Sequence, residues 1–455
     1  MTAAPAPPGS DALTPALAAF AHGTGWHDLP DAVRAAARCN LLNVVGCALG
    51  GRRDAAVRAF SGALGPLAGA PVATEIGAGR TDPATAAFLN AAAANVLDYD
   101  DQHLPTVMHP GPPVVAAAFA AAEMAGADGR TLLAAIALGI EIGCRLGNAT
   151  APGHYEAGFH ITATCGVFGA AVAAAKLLGL SQGGMADALG HAASQACGVV
   201  EALGAASKST GVGAAARAGL HAALFARAGI GGPAAPIEGR FGFLRVFAPA
   251  ADPRRALDGL GARWEVLRNA PKAWPVGVVL HPVVDAALEL RARLPAGPAA
   301  LAALELRGHP LLRLRADRPD VATGREATVS AQHVCAVALL RGRVGPVELT
   351  DEAVAEADAR ALRARIRVTE APGIPVEAAE LCATLADGEV LHVAVTIGRG
   401  LPDRPLTEAE LDAKLRGLAA WGAPWCETER LIAALRGAEE LRDVRALSPL
   451  LLPPG

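Results

Sequence analysis

The sequence predicts a mainly α protein in which a large all-helical domain is interrupted by a smaller, inserted α+β domain. Three observations carry this expectation. The 455 residues exceed the roughly 250–300 at which one hydrophobic core stops growing, so two domains are expected. Residues 11 to about 266 read as Ala- and Leu-rich helices separated by short Gly/Pro punctuation. From about 270 the texture changes: LELR (304–307), RIRVT (365–369), ELCATL (380–385) and EVLHVAVT (389–396) cluster β-formers, and the last two flank Asp387-Gly388, a strong hairpin signal.

Taken in order, a helix fits 30–49. Asp82 and Pro83 supply an N-cap and a first-turn proline for one running to about Leu97. Further helices fit 113–125, 130–146, 162–178, 183–197 and 213–228, with Gly179 and Gly229 as stops. Helices at about 281–293, 328–341 and 351–362 lie among the strands, and 406 to about 446 is helical again. The expected division is 1–268, completed by 400–455, for the helical domain and 269–399 for the α+β domain.

Apolar residues make up 52% of the chain, charged residues 18% and aromatics 4%, which excludes disorder. That charge fraction is below the roughly 25% usual for soluble domains, so some apolar surface is expected to be covered in a homodimer. A net charge of -4 without a basic stripe argues against nucleic acid as a partner. The eight scattered cysteines form no Cys-x-x-Cys pair and read as buried free thiols. The N-terminal MTAAPAPPGSDALTP lacks the features of a secretory signal, so a cytoplasmic location is expected. Three Ala-rich stretches approach spanning length, but each carries a charge (Glu123, Glu141, Lys176); they read as core helices, and no membrane partner is expected.

Walker, HExxH and GxSxG signatures are missing from the sequence. Gly211-Val-Gly213-Ala-Ala-Ala216 fits a relaxed dinucleotide fingerprint, but no strand precedes it, so neither nicotinamide nor flavin is expected. Gly211 and Gly213 would instead let amides at the start of the 213–228 helix approach an anion beside Lys208, although Lys208 alone also reads as a solvated turn residue. In LDYDDQHLPTVMHP (97–110), Asp98, Asp100 and Asp101 follow the negative end of a helix dipole, an unfavourable place for acids, and His103 and His109 come soon after. They either serve a purpose or cap a surface turn. The segment lacks supporting Cys or Glu ligands, so no metal is expected. His160 precedes a helix with Thr162 as N-cap; that position disfavours the imidazolium and suits either a neutral-pH base or a structural hydrogen-bonder. Lys272 in APKAWP stands at the domain junction, a preferred place for ligands unless it is only a linker charge.

Together these segments resemble the MmgE/PrpD family over nearly the whole chain. The likeness rests on LNVVGCALGG (41–50), AANVLDYDD through the following HP (93–110), GFHITATCGVFGAAVAAAKLLGL (158–180), SKSTGVGAAARAGL (207–220), GPAAPIEGRFGF (232–243), KAWP with HPVVDA (272–286) and EATVSAQHVCAVALLRG (326–342). The resemblance implies a cofactor-independent enzyme that abstracts a proton next to a carboxylate. It places the active site on Asp98, His109, His160, Lys208 and Lys272, which are expected to meet in one cleft between the domains. His160 would be base or acid, His109 a proton shuttle, Asp98 an orienting carboxylate, and the two lysines the holders of carboxylate and oxyanion. Gln102, His103, Gly211 and Gly213 would line the substrate.

Three departures from the family pattern stand out. His333 replaces a Tyr, Gln102 replaces a Thr, and VGVV (276–279) replaces a CCR that would supply an arginine. His333 is either a second catalytic acid/base or a histidine packed on its helix. The expected function is a lyase of the 2-methylcitrate dehydratase type, eliminating water from a small hydroxylated di- or polycarboxylate, with epimerisation or isomerisation and then decarboxylation as the alternatives. A silent carboxylate-binding protein is the remaining one.

Overall fold

The computed structural model describes residues 13–294 and 297–454, and the N-terminal segment on which the absence of a signal was read lies mostly outside them. The chain is mainly α and forms two compact units. The first comprises residues 1–96, 100–269 and 411–455, the second 97–99 and 270–410.

In the first unit the long helices Asp31–Gly51, Pro83–Val96, Gly111–Ala125, Gly129–Thr150, Ile161–Leu177 and Ser207–Arg227 pack on one another. Their Ala and Gly side chains allow backbones to come close. A Cβ on Gly169 would lie 2.5 Å from the carbonyl oxygen of Gly139, and one on Gly139 would lie 2.6 Å from that of Gly169. Asp31–Gly51 and Gly129–Thr150 are long and apolar enough to cross a membrane by length and composition, yet 67% and 94% of their apolar windows are buried inside the fold. The charges in the Ala-rich stretches are met locally. Glu141 accepts from Arg145 Nε at 2.6 Å and Val266 N at 3.0 Å, Glu123 from Thr74 and Ser448, and Lys176 donates to the carbonyls of Ala21, His22 and Thr24.

This unit is not all-helical. Ala73–Glu75 and Gly79–Thr81 form an antiparallel ribbon, and Asp101–His103 is extended. Two helix boundaries also differ from expectation. The 183–197 helix stops at Ala193, and the 213–228 helix begins at Ser207, placing both glycines of the apparent dinucleotide fingerprint inside it. Four of the cysteines are buried and none of the eight forms a disulfide, but Cys197 is exposed.

In the second unit, a four-stranded sheet runs in the order Ile366–Glu370, Leu301–Gly308, Ala379–Leu385, Val390–Val395, the first pair parallel and the others antiparallel. Leu304, Leu306, Leu381 and Val393 on its inner face pack against Val283, Val284 and Leu290 of helix His281–Arg293 and Val334 and Val337 of helix Ala331–Arg341. The 351–362 helix is two short ones, Asp351–Ala355 and Ala357–Arg363, because Glu356 between them takes an extended ψ of 134°.

The close helix packing has a direct test in denaturant midpoints. Gly169→Ala should lose about 1–3 kcal/mol, since backbone rather than a flexible side chain must give way. Gly62→Ala, on the exposed helix Ala55–Leu64 with open space around it, should gain about 0.5–1 kcal/mol.

Candidate active site

The chain between helices Pro83–Val96 and Gly111–Ala125 is a loop that buries Asp100 and Asp101 and leaves Asp98 half-buried, not a surface turn. Asp100 and Asp101 are both 0% exposed. Asp100 accepts from Asn95 Nδ2 at 2.8 Å and from His109 Nδ1 at 2.9 Å. Asp101 accepts from Asn269 Nδ2 at 2.6 Å and from the amide of Gly111 at 2.9 Å. Gly111 has to be small here, because a Cβ would sit 2.5 Å from Asp101 Oδ2. The amide of His103 donates to the carbonyl of Met108 at 2.8 Å, completing a closed loop that returns His109 to Asp100.

An imidazole that donates Nδ1–H to a carboxylate carries its lone pair on Nε2, and the carboxylate stabilises the imidazolium that forms when Nε2 takes a proton. His109 is thereby configured as a base. It is also tied to the helix that His160 caps. Its amide donates to Thr162 Oγ1 at 3.0 Å, and Thr162 stands in the first turn of helix Ile161–Leu177. The N-cap of that helix is His160, not Thr162, and it makes no side-chain capping bond. The His160 ring lies beside helix Ser207–Arg227, where a Cβ on Gly211 would be 4.0 Å from its Nδ1. Ser209 Oγ donates to Asn95 Oδ1 at 3.3 Å, joining the start of the same helix to the Asp100 network. The first unit thus gathers Asp100, His109, His160 and the helix turn that bears Lys208. Gly213 belongs to helix packing, since its Cβ would fall 2.7 Å from the carbonyl oxygen of Phe88.

Lys414 was not foreseen. Its ammonium, in helix Glu408–Gly422, donates to Asn43 Oδ1 at 2.7 Å and approaches the main-chain oxygen of Asp100 at 3.4 Å. Burial lowers its pKa, opposed by Cys47, Asp100 and Asp101. The available signal was its register: 414 falls beside Leu411, Leu415 and Leu418 on the apolar face of its helix, where a lysine is out of place.

His103, expected to line the substrate, is committed elsewhere. It is fully buried, with Nδ1 2.8 Å from Thr106 Oγ1 and Nε2 3.0 Å from Glu265 Oε2. Burial pushes its pKa below the usual value, with Glu265 opposing. Gln102 is buried.

In the second unit, Lys272 Nζ lies 2.9 Å from Asp98 Oδ2, 3.1 Å from the main-chain oxygen of Asp98 and 3.3 Å from that of Val276, and the residue is 1% exposed. Asp98 has a φ of 52°, in the left-handed region that Asp tolerates better than most residues. His333, read from the sequence as either a catalytic acid/base or a histidine packed on its helix, is packed. Nε2 donates to the carbonyl of Glu348 at 2.9 Å, Nδ1 faces Arg363 Nη1 at 3.1 Å, and the residue is 0% exposed. Burial, reinforced by the Arg363 charge, lowers its pKa, with the bond to the Glu348 carbonyl opposing.

Burial and the neighbouring Asp100 charge raise the pKa of Asp101 to about 7, although Asn269 and Gly111 oppose them. The folded protein therefore holds a proton that the unfolded chain releases near pH 4. The stability this proton confers is present below about pH 4 and is lost as pH rises through about 7. Asp101→Asn should flatten the fall in stability between about pH 5 and pH 8, so its cost in urea midpoint should be smaller at the higher pH. An equal cost at both would contradict this assignment.

Comparison with known proteins converges on one family. The MmgE/PrpD N-terminal domain matches residues 15–256 and the MmgE/PrpD C-terminal domain matches residues 274–439. The human protein named cis-aconitate decarboxylase is 29% identical over 393 residues, covering 82% of this chain and 80% of its own length. The Aspergillus terreus protein of that name is 31% identical over 299 residues, covering 62% and 61%. The mouse protein is 28% identical over 389 residues, covering 82% and 80%. With both domain models matched in order along the sequence, the chain belongs to the MmgE/PrpD family.

Proposed function

We propose that the protein is a lyase acting on a small di- or tricarboxylic acid, and that its chemistry is proton transfer at a carbon next to a carboxylate. The observation that carries this reading is His109 held through Nδ1 by the buried Asp100, with its other nitrogen left to exchange a proton. The names of the relatives favour decarboxylation of an acid like cis-aconitate as the leading reaction. The bond to the leaving carboxylate breaks and CO2 departs, while the electron pair passes into the system conjugated with a remaining carboxylate. His109, as the imidazolium paired with Asp100, then delivers a proton to carbon. Lys208 and Lys272 hold carboxylates and offset the charge that develops.

Dehydration of a hydroxylated acid is the second reading, and the nearness of His109 to the helix turn headed by His160 favours it. Elimination of water needs a base for the α-proton and an acid for the departing hydroxyl, and two histidines supply both. In that case His109 Nε2 takes the proton, the C–O bond breaks, and His160 protonates the hydroxyl to release water.

Incubating the purified protein with cis-aconitate and, separately, with a 2-hydroxylated tricarboxylate, followed by NMR of the products, separates the two readings. Loss of one carbon as CO2 indicates decarboxylation, and a new alkene with release of water indicates dehydration. For whichever substrate turns over, His109→Gln should lower kcat by about 10²-fold or more, and Asp100→Asn should follow in the same direction. Wild-type turnover in both variants would sink the proposal.

A further inference from the structure

The loop carrying Lys272 is irregular, and the question is what fixes an ammonium on so short a stretch of chain. The second unit supplies a single hub. Asp285, in helix His281–Arg293, has a side chain only 4% exposed and uses both oxygens. Oδ1 accepts from the indole Nε1 of Trp274 at 3.2 Å and from Arg399 Nε at 2.9 Å. Oδ2 accepts from the amide of Arg399 at 2.7 Å and from Arg404 Nη1 at 3.2 Å. The Arg399 guanidinium also lies over the Trp274 ring at 4.9 Å, so carboxylate, arginine and indole form one closed group. Trp274 is two residues from Lys272. The chain after Arg399 presses on the same loop, since a Cβ on Gly400, at φ 76°, would lie 2.4 Å from the amide nitrogen of Ala273.

We propose that Asp285 is a positioning residue for Lys272: by clamping Trp274 and Arg399 together, it sets the 271–276 loop so that the ammonium meets Asp98 and the carbonyl of Val276. The alternative, that Asp285 serves only to hold its own helix to the 397–404 segment, does not need the bond to Trp274. Neutralising Asp285 leaves two arginines without their shared counter-ion and the indole N–H without its ionised acceptor, and the part of the loop released is the part that carries Lys272. This rests on the reading of Lys272 as the residue that holds a substrate carboxylate. The test therefore includes a readout that needs no substrate.

The chain contains four lysines, Lys176, Lys208, Lys272 and Lys414, so amine labelling followed by peptide mass spectrometry reports each one separately. In the full-length wild-type protein Lys272 and Lys414 should both label slowly, as both are buried. In Asp285→Asn, Lys272 should label at least about tenfold faster, as expected for local opening, while Lys414, in the other unit, keeps its wild-type rate. Trp274→Phe, which retains a ring under Arg399 but removes the N–H donor, should shift Lys272 in the same direction by a smaller factor. With a substrate in hand, both variants should raise KM more than they lower kcat, because a binding cation has been displaced and the proton carrier has not. Unchanged protection of Lys272 in both variants would overturn the proposal, as would Lys272 and Lys414 opening together, which reports general destabilisation. If labelling shifts as expected but no carboxylate turns over, the clamp stands and the functional reading fails.

Discussion

The bond between Asp100 and His109 organises the first unit, and its constraint is that two adjacent carboxylates are buried at once. Asp100 and Asp101 have separate partners, and the loop supplies both by turning back on itself. Asp100 takes Asn95 and His109, while Asp101 takes Gly111 and Asn269. Because His109 and Gly111 are two residues apart, satisfying the two acids and closing the loop are one event. The histidine is fixed with one nitrogen committed by the same contacts that make the buried acids tolerable, so the stability of the loop and the readiness of the base share a cause.

The cations follow a related logic. Of forty basic residues only four are lysines. Lys272 Nζ meets Asp98 Oδ2 and the main-chain oxygens of Asp98 and Val276 within 3.3 Å, a cluster of acceptors that a compact ammonium can reach together. Lys176 spans three carbonyls in the same way. Lys414 sits behind the main chain of Asp100, where the charges of Asp100 and Asp101 oppose the lowering of its pKa by burial.

Much of the fold was legible in the sequence because Ala/Leu periodicity and Gly stops are local signals. Helix His281–Arg293 matches its predicted range, and Asp387-Gly388 does join antiparallel strands. The misses share a cause. Gly211 and Gly213 looked like a loop before a helix, whereas tertiary packing against Phe88 and His160 carries the helix back to Ser207. His103 and His333 have the chemistry of site residues and no local mark of being buried against Glu265 or Arg363, partners distant in sequence. Asp100 was visible as one of three acids after a helix end, but which acid would hold a histidine depended on loop closure. Lys272 and Asp98, 174 residues apart, were named together only through family resemblance, and the structure gives that pairing a distance.

Asp100 fixes His109 with its proton on Nδ1 and its lone pair on Nε2. A long-range proton–nitrogen spectrum of histidine-labelled protein, with the His109 signal assigned by its loss in His109→Gln, measures the tautomer directly. The Nδ1-protonated form is expected near neutral pH, with that preference collapsing in Asp100→Asn. An Nε2-protonated ring in the wild-type protein, unchanged by Asp100→Asn, would contradict it.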